Sequence, residues 1–198
     1  ALFESLHRQN VRGIRINVSP IHPPEAGLAE RLLPRINLLE KRCREFGWHL
    51  DFLLPGWLTE ALLPRIAELE IDCTLAHLGM FAAAQGPEQP GFVQLLKLLE
   101  SGSGRCWIKL TGAYRISAAP DVPYDDVDDA ARALIAAVPE RMIWGTDWPH
   151  AMKKKRMAND GELADLLERW APDARTRARI LVDNPAALYR FGANEKIN

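Results

Sequence analysis

The feature that most limits what this chain can become is its alternation. Short apolar segments rich in β-branched residues take turns with longer segments of helical period, five times over. Val11 to Val18 (VRGIRINV) reads as a strand, and Leu28 to Phe46 follows with Leu28, Leu32, Ile36, Leu39, Cys43 and Phe46 at helical spacing and Gly47 as a stop. Trp48 to Leu54 (WHLDFLL) is the second strand. Thr59 is expected to cap a helix running to about Glu70, with Leu62, Leu63, Ile66 and Leu69 on one face. Ile71 to His77 is the third strand and Phe92 to Leu99 the next helix. Arg105 to Thr111 (RCWIKLT) is the fourth strand. Asp125 or Asp126 opens a helix that ends near Pro139, its acidic first turn suiting the helix dipole. Arg141 to Asp147 (RMIWGTD) is the fifth strand, followed by helices at 161–170 and 174–182. Asn184-Pro185 reads as the N-cap and first residue of a last helix.

Strict strand–helix alternation implies a parallel sheet with helices packed on it. The string Leu-Leu-Pro-Arg-Ile occurs at 32–36 and again at 62–66, an offset of 30 residues that matches one βα unit. Each of these helices is expected to begin at its proline, where the missing N–H does no harm. The pattern predicts one domain over residues 1–198, belonging to an α/β (β/α)8 barrel of the TIM type. A full barrel needs eight strands and ~250 residues. With five units present and Ala1 in place of an initiator Met, about three N-terminal units are expected to be missing. An open Rossmann-like sheet is the competing architecture, but no strand here is followed by G-x-G-x-x-G.

Composition narrows the partners. Lys and Arg total 25 against 26 Asp and Glu, so the net charge of -1 gives no pull toward nucleic acid or a membrane surface. No segment approaches the ~18 apolar residues of a membrane span, and the N-terminus has no signal-peptide pattern. Three scattered cysteines without a C-x-x-C predict neither a disulfide frame nor a zinc knuckle, and favour a reducing, cytoplasmic setting. The expected partner is therefore a small molecule.

In a barrel, chemistry comes from the C-terminal ends of the strands, and each strand end here is polar. The first carries Arg15 and Asn17, the third His77-Leu-Gly79, and the fourth Lys109 and Thr111 running into Tyr114-Arg115. The fifth ends in Asp147, inside Trp-Gly-Thr-Asp-Trp-Pro-His (144–150). Side chains alternate along a strand, so Trp107, Lys109 and Thr111 share a face with Ile143, Gly145 and Asp147. Asp147 is the leading catalytic candidate, against the plainer role of a loop cap. His77 stands between catalysis and a hydrogen-bonded core histidine. Lys109 reads as half of an internal ion pair. Arg15 and Arg115 together suit bidentate binding of a carboxylate, or else lie on the surface. His150 and His22 are loop residues, and His150 is kept as a substrate contact. The run Lys153-Lys154-Lys155-Arg156 reads as a solvated loop that forms a basic lip for an anionic substrate.

Five pieces of the sequence, in order, resemble the amidohydrolase-2 family. They are Gly13-Ile-Arg15-Ile-Asn17, His77-Leu-Gly79, Trp107-Ile-Lys109-Leu-Thr-Gly112 with Tyr114-Arg115, Trp144-Gly-Thr-Asp147-Trp-Pro-His150, and Asn184-Pro-Ala-x-Leu-Tyr189-x-Phe191. The likeness is to its lactonase branch, which opens pyrone-dicarboxylate, sulfomuconolactone and sugar-acid lactones. It implies that Asp147 activates water and that His77 polarises the lactone carbonyl or assists the base. It also implies that Arg15, Tyr114 and Arg115 meet the substrate's acid group. The departures are that no His-x-His occurs anywhere, that Ala76 stands where the family often has Asp, and that Ile21 replaces an arginine of the pyrone-dicarboxylate enzymes. The last argues against a dicarboxylate.

The expected function is hydrolysis of a carboxylated lactone by an aspartate general base, without metal or other cofactor. A zinc-dependent amidohydrolase and a decarboxylase of the same superfamily are the enzymatic alternatives. A catalytically incomplete barrel is the other. His77 and Asp147 alone do not make the three protein ligands that a catalytic zinc needs.

Overall fold

The computed structural model describes residues 2–151, 156 and 159–191. After a short helix α1 (Leu2–Arg8), five strands alternate with helices: β1 (Gly13–Asn17), α2 (Leu28–Phe46), β2 (His49–Leu53), α3 (Gly56–Ala67), β3 (Cys73–Leu75), α4 (Pro90–Ser101), β4 (Cys106–Leu110), α5 (Asp128–Ala137) and β5 (Met142–Trp144). Helices α6 (Asp160–Trp170), α7 (Ala174–Ala178) and α8 (Asn184–Tyr189) complete the described chain. The strands form one sheet in the order β1-β2-β3-β4-β5, every pair parallel. No helix among the described residues is long and apolar enough to cross a membrane.

The period of two divides the sheet into unlike faces. Ile16, Leu50, Phe52, Cys73, Leu75, Cys106, Ile108, Leu110 and Met142 point one way, all buried beneath the helices. Burying each large apolar side chain contributes roughly 1.5–3 kcal/mol, and this layer is the core. The opposite face carries Arg15, Asp51 and Thr74 in one register row, with Lys109 farther along β4. Asp51, whose side chain is 8% exposed, is paired there with Arg15, with the Thr74 hydroxyl, and with Lys109 Nζ at 2.9 Å. Burial alone would raise its carboxyl's pKa, but Lys109, Thr74 and Arg15 together hold it below the usual value.

Several local expectations are corrected. The helices run through Pro34 and Pro64 instead of starting there. Each lost backbone bond is outweighed by an apolar face spanning both sides of the proline, Leu58, Leu62, Leu63 and Ile66 in α3. Thr59 is a buried residue inside α3 and caps nothing, since the helix already begins at Gly56. Asn184 does not cap α8. Its amide donates to the backbone oxygens of Pro139 (2.8 Å) and Met142 (2.6 Å), tying α8 to the start of β5. The third and fifth strands are shorter than expected, so His77 and Asp147 both lie beyond their strand ends. The three cysteines are free and buried.

Asp51 is the sole carboxylate among the described partners of Lys109. Asp51→Ala should lower the unfolding free energy by about 3 kcal/mol, the size expected when one member of a buried pair is removed. Adding Lys109→Met should recover most of that loss. Urea denaturation of the two variants measures both, and equal loss in the double variant would show that Lys109 is not the group left stranded.

Candidate active site

The residues that meet at the C-terminal end of the sheet are brought there by left-handed turns. After β3 the chain bends sharply: His77, Leu78, Gly79 and Met80 have φ of 52, 54, 78 and 62°. Non-glycine residues seldom adopt such angles, and clusters of them mark sites where strain is held by the surroundings. The bend drives the His77 ring against the end of β4. There its Nδ1 lies 2.8 Å from the Thr111 hydroxyl and 3.3 Å from the Thr111 carbonyl oxygen. Gly112 makes room for this contact, because a Cβ there would sit 2.6 Å from His77 Nδ1, and its own φ is +58°.

Asp147 lies three residues past β5 at φ 65°. Its backbone oxygen accepts from His150 N at 2.9 Å, closing a tight turn. Its Oδ2 accepts from the Tyr114 hydroxyl at 2.6 Å and from Arg115 Nε at 2.7 Å, both carried on the turn Ala113–Arg115 after β4. Its Oδ1 faces His77 Nε2 at 3.9 Å. Among the described residues, Asp147 is thus saturated on one oxygen and open on the other. Burial would raise its pKa, but the Tyr114 bond, the His77 ring and Arg115 outweigh that and hold it below the ordinary carboxylate value. Burial is also the main cause that drives His77 down to about 4, against an opposing pull from Asp147 and with help from Arg115 and Arg15. At neutral pH the pair is therefore a carboxylate facing a neutral imidazole. Burial and the bond to Asp147 push the Tyr114 phenol upward, so it stays protonated and donates.

Of the six residues singled out from sequence, five assemble here: His77, Tyr114, Arg115, Asp147 and His150. Arg15 lies on the same face, near enough for its charge to be felt at His77, but its guanidinium is bound to Asp51. Arg15 and Arg115 are therefore not a free pair awaiting a carboxylate, since each already holds one of the protein's own. His150 is not a surface contact either. Its side chain is 2% exposed, with Nε2 at 2.9 Å from Asp160 and Nδ1 at 3.2 Å from the Tyr114 hydroxyl. Lys153, Lys154 and Lys155 of the basic lip lie outside the described residues, and Arg156 is engaged by Asp121 and Glu162. Asp51 and Asp160 were not foreseen, and Thr111 was noted only as a polar strand-end residue, not as the partner of His77. An aspartate in the middle of WHLDFLL was the available signal for the first.

The amidohydrolase family model of the second type fits residues 1–191. The chain belongs to that amidohydrolase family. A 4-sulfomuconolactone hydrolase of Rhizobium radiobacter is 40% identical over 189 residues, covering 94% of this chain and 61% of the relative. A D-galactarolactone isomerase of Agrobacterium fabrum is 32% identical over 161 residues, covering 80% of this chain and 54% of the relative. A Pseudomonas putida structure provisionally named a 2-pyrone-4,6-dicarboxylic acid hydrolase superposes with a TM-score of 0.79 at 29% identity, covering 96% of this chain and 67% of that one. The fold is that of the TIM-barrel amidohydrolases, of which the five parallel strands form a contiguous arc. The chain spans about three fifths of the length of the first curated relatives it matches, 61% and 60%.

Amidohydrolases often bind a metal ion. The donor set of this chain does not by itself fit one. Asp147 Oδ2 is occupied by an arginine and a phenol, and no group of three His, Cys, Asp or Glu side chains comes together among the described residues.

The low pKa of His77 has a consequence for stability. The unfolded chain takes up a proton near pH 6.5 that the native ring accepts only near 4. Stability should therefore fall as pH is lowered from 6.5 to 4, and His77→Gln should flatten that part of the curve. Urea midpoints across this window test it, and an unchanged slope in the variant would assign the effect elsewhere.

Proposed function

We propose that the protein containing this chain hydrolyses a lactone that bears an anionic group, with Asp147 as general base. The observation that carries this reading is the asymmetry of the Asp147 carboxylate, fixed through Oδ2 and open through Oδ1 toward a neutral His77. Oδ1 takes a proton from water as the water oxygen bonds to the lactone carbonyl carbon. The carbonyl oxygen becomes an oxyanion. We assign the shorter Thr111 contact as the hydroxyl donating to His77 Nδ1, which leaves the hydrogen on Nε2 to stabilise that oxyanion. The tetrahedral intermediate collapses, the ring C–O bond breaks, and the leaving oxygen takes the proton from Asp147. The product is an open hydroxy acid.

Among the described residues the concave face carries three cations, Arg15, Lys109 and Arg115, and three carboxylates, Asp51, Asp72 and Asp147, so the support for an anionic substrate is the relative named as acting on sulfomuconolactone. Relatives named as acting on sulfomuconolactone and galactarolactone agree with a lactone as the substrate class. The three free, buried thiols suit a reducing, cytoplasmic setting, and in this reading the chain is one domain.

Asp147→Asn in the intact protein should lower kcat by about 10²–10⁴-fold, the usual loss of a general base, with the circular dichroism spectrum unchanged. In the wild type, kcat/KM should stay flat through neutral pH and fall only near and below 4, since both Asp147 and His77 titrate low. A fall centred near 6.5 would instead make an ordinary histidine the base.

A further inference from the structure

His77 Nδ1 meets two groups of one residue, the Thr111 hydroxyl at 2.8 Å and the Thr111 carbonyl oxygen at 3.3 Å. The two make opposite demands. A carbonyl oxygen only accepts, so it calls for a hydrogen on Nδ1, whereas a hydroxyl can donate to a bare Nδ1. Burial keeps the ring neutral at pH 7, so it has one hydrogen and two places for it. With that hydrogen on Nδ1, Nε2 turns a lone pair toward the Asp147 carboxylate, whose Oδ1 is 3.9 Å away. With it on Nε2, an N–H faces that negative charge. The hydroxyl has the better distance for holding Nδ1, and the charge of Asp147 favours the same tautomer.

We propose that Thr111 is a positioning residue whose hydroxyl donates to His77 Nδ1 against the competing pull of its own carbonyl, and so places the ring hydrogen on Nε2, the nitrogen turned to the reacting atoms. The inference rests on the reading of Asp147 as base and of the Nε2 hydrogen as donor to the oxyanion. It assigns the choice of tautomer to one removable group. Once the hydroxyl is gone, the backbone carbonyl is the remaining described partner of Nδ1. The ring hydrogen then moves to Nδ1, and the oxyanion loses its donor.

The fold holds the hydroxyl in place. Thr111 directly follows β4, and its χ1 is stiff because the side chain branches at Cβ. Its methyl carbon Cγ2 is 3.5 Å from where a Cβ at Gly145, just past β5, would lie. The methyl thus packs toward β5 while the hydroxyl meets the ring. His77 is equally fixed, 4% exposed and carried on the left-handed turn after β3. Gly112 leaves the space that Nδ1 needs, since a Cβ there would come within 2.6 Å of it.

The test has two arms on the intact protein. In the first, histidine ring nitrogens are labelled with ¹⁵N and read by NMR at pH 7, with the His77 signals assigned by their loss in His77→Gln. The wild type and Thr111→Ser should carry the hydrogen on Nε2, and Thr111→Val should carry it on Nδ1. A hydrogen on Nδ1 in the wild type, or an unchanged ring in Thr111→Val, would overturn the proposal whatever reaction the enzyme performs. In the second arm, Thr111→Val should lower kcat on the lactone substrate about 10²-fold, the usual loss of an oxyanion donor, with KM within about twofold. Thr111→Ser should retain most of the activity. Equal losses in the two variants would make side-chain bulk, not the hydroxyl, the cause and would overturn the positioning role. If Asp147→Asn retained activity while the tautomer moved as described, the general-base reading would fail and the assignment of Thr111 would stand.

Discussion

A half-buried carboxylate stays ionised only if its neighbours replace the hydrogen bonds that water would have given it. At Asp147 that replacement is the Arg115 guanidinium and the Tyr114 hydroxyl, both on Oδ2. Everything distinctive about the site depends on this one-sided satisfaction. It keeps the carboxylate charged, and it keeps the phenol protonated. It also leaves Oδ1 directed at His77, a ring that burial holds neutral. A base with a low pKa is a weak base, and the arrangement accepts that weakness. In the proposed reaction the lactone carbonyl is a reactive electrophile, so a weak base that is always ionised would suit it better than a strong one that is half protonated.

The concave face of the sheet has the same logic farther down the strands. Asp51 brings Arg15 and Lys109 to a surface that could otherwise have been apolar. An ion pair of this kind adds little net stability compared with packed hydrocarbon. What it does provide is a fixed array of paired charges facing the site, in a region where low dielectric extends their reach. Arg15 is half exposed and lies at the open side of this network, whereas Lys109 is mostly covered. Trp148, 76% exposed and next to Asp147, gives the same mouth an apolar element.

The order and pairing of all five strands could be read from the sequence, because alternation of period two with period 3.6 is set by burial, and burial is what the apolar pattern records. The two catalytic candidates could be read as strand-end residues for the same reason. What the pattern could not record is backbone conformation. His77 and Asp147 were assigned to strands, yet both sit in left-handed turns beyond them. Alternation grouped Asp147 with Trp107, Lys109 and Thr111, whereas its partners are Tyr114 and Arg115 on the turn after β4 and His77 after β3. Asp160 was hidden because an acid in the first turn of a helix is already explained by the dipole. Its partner His150 lies 10 residues away and is found only through the fold. The prolines at 34 and 64 misled in the opposite direction, since tertiary packing carried both helices past them.

The central claim is that water held by Asp147 attacks the carbonyl carbon of a lactone. A single turnover of the intact enzyme on a lactone in ¹⁸O-enriched water tests it most directly, read by mass spectrometry of the product. One labelled oxygen should appear in the carboxylate formed from the lactone carbonyl, with none in the new hydroxyl group. Label in the hydroxyl would mean that the ring carbon, not the carbonyl, is attacked. A product formed with no label at all would mean isomerisation or a covalent route through Asp147, and would contradict the general-base mechanism.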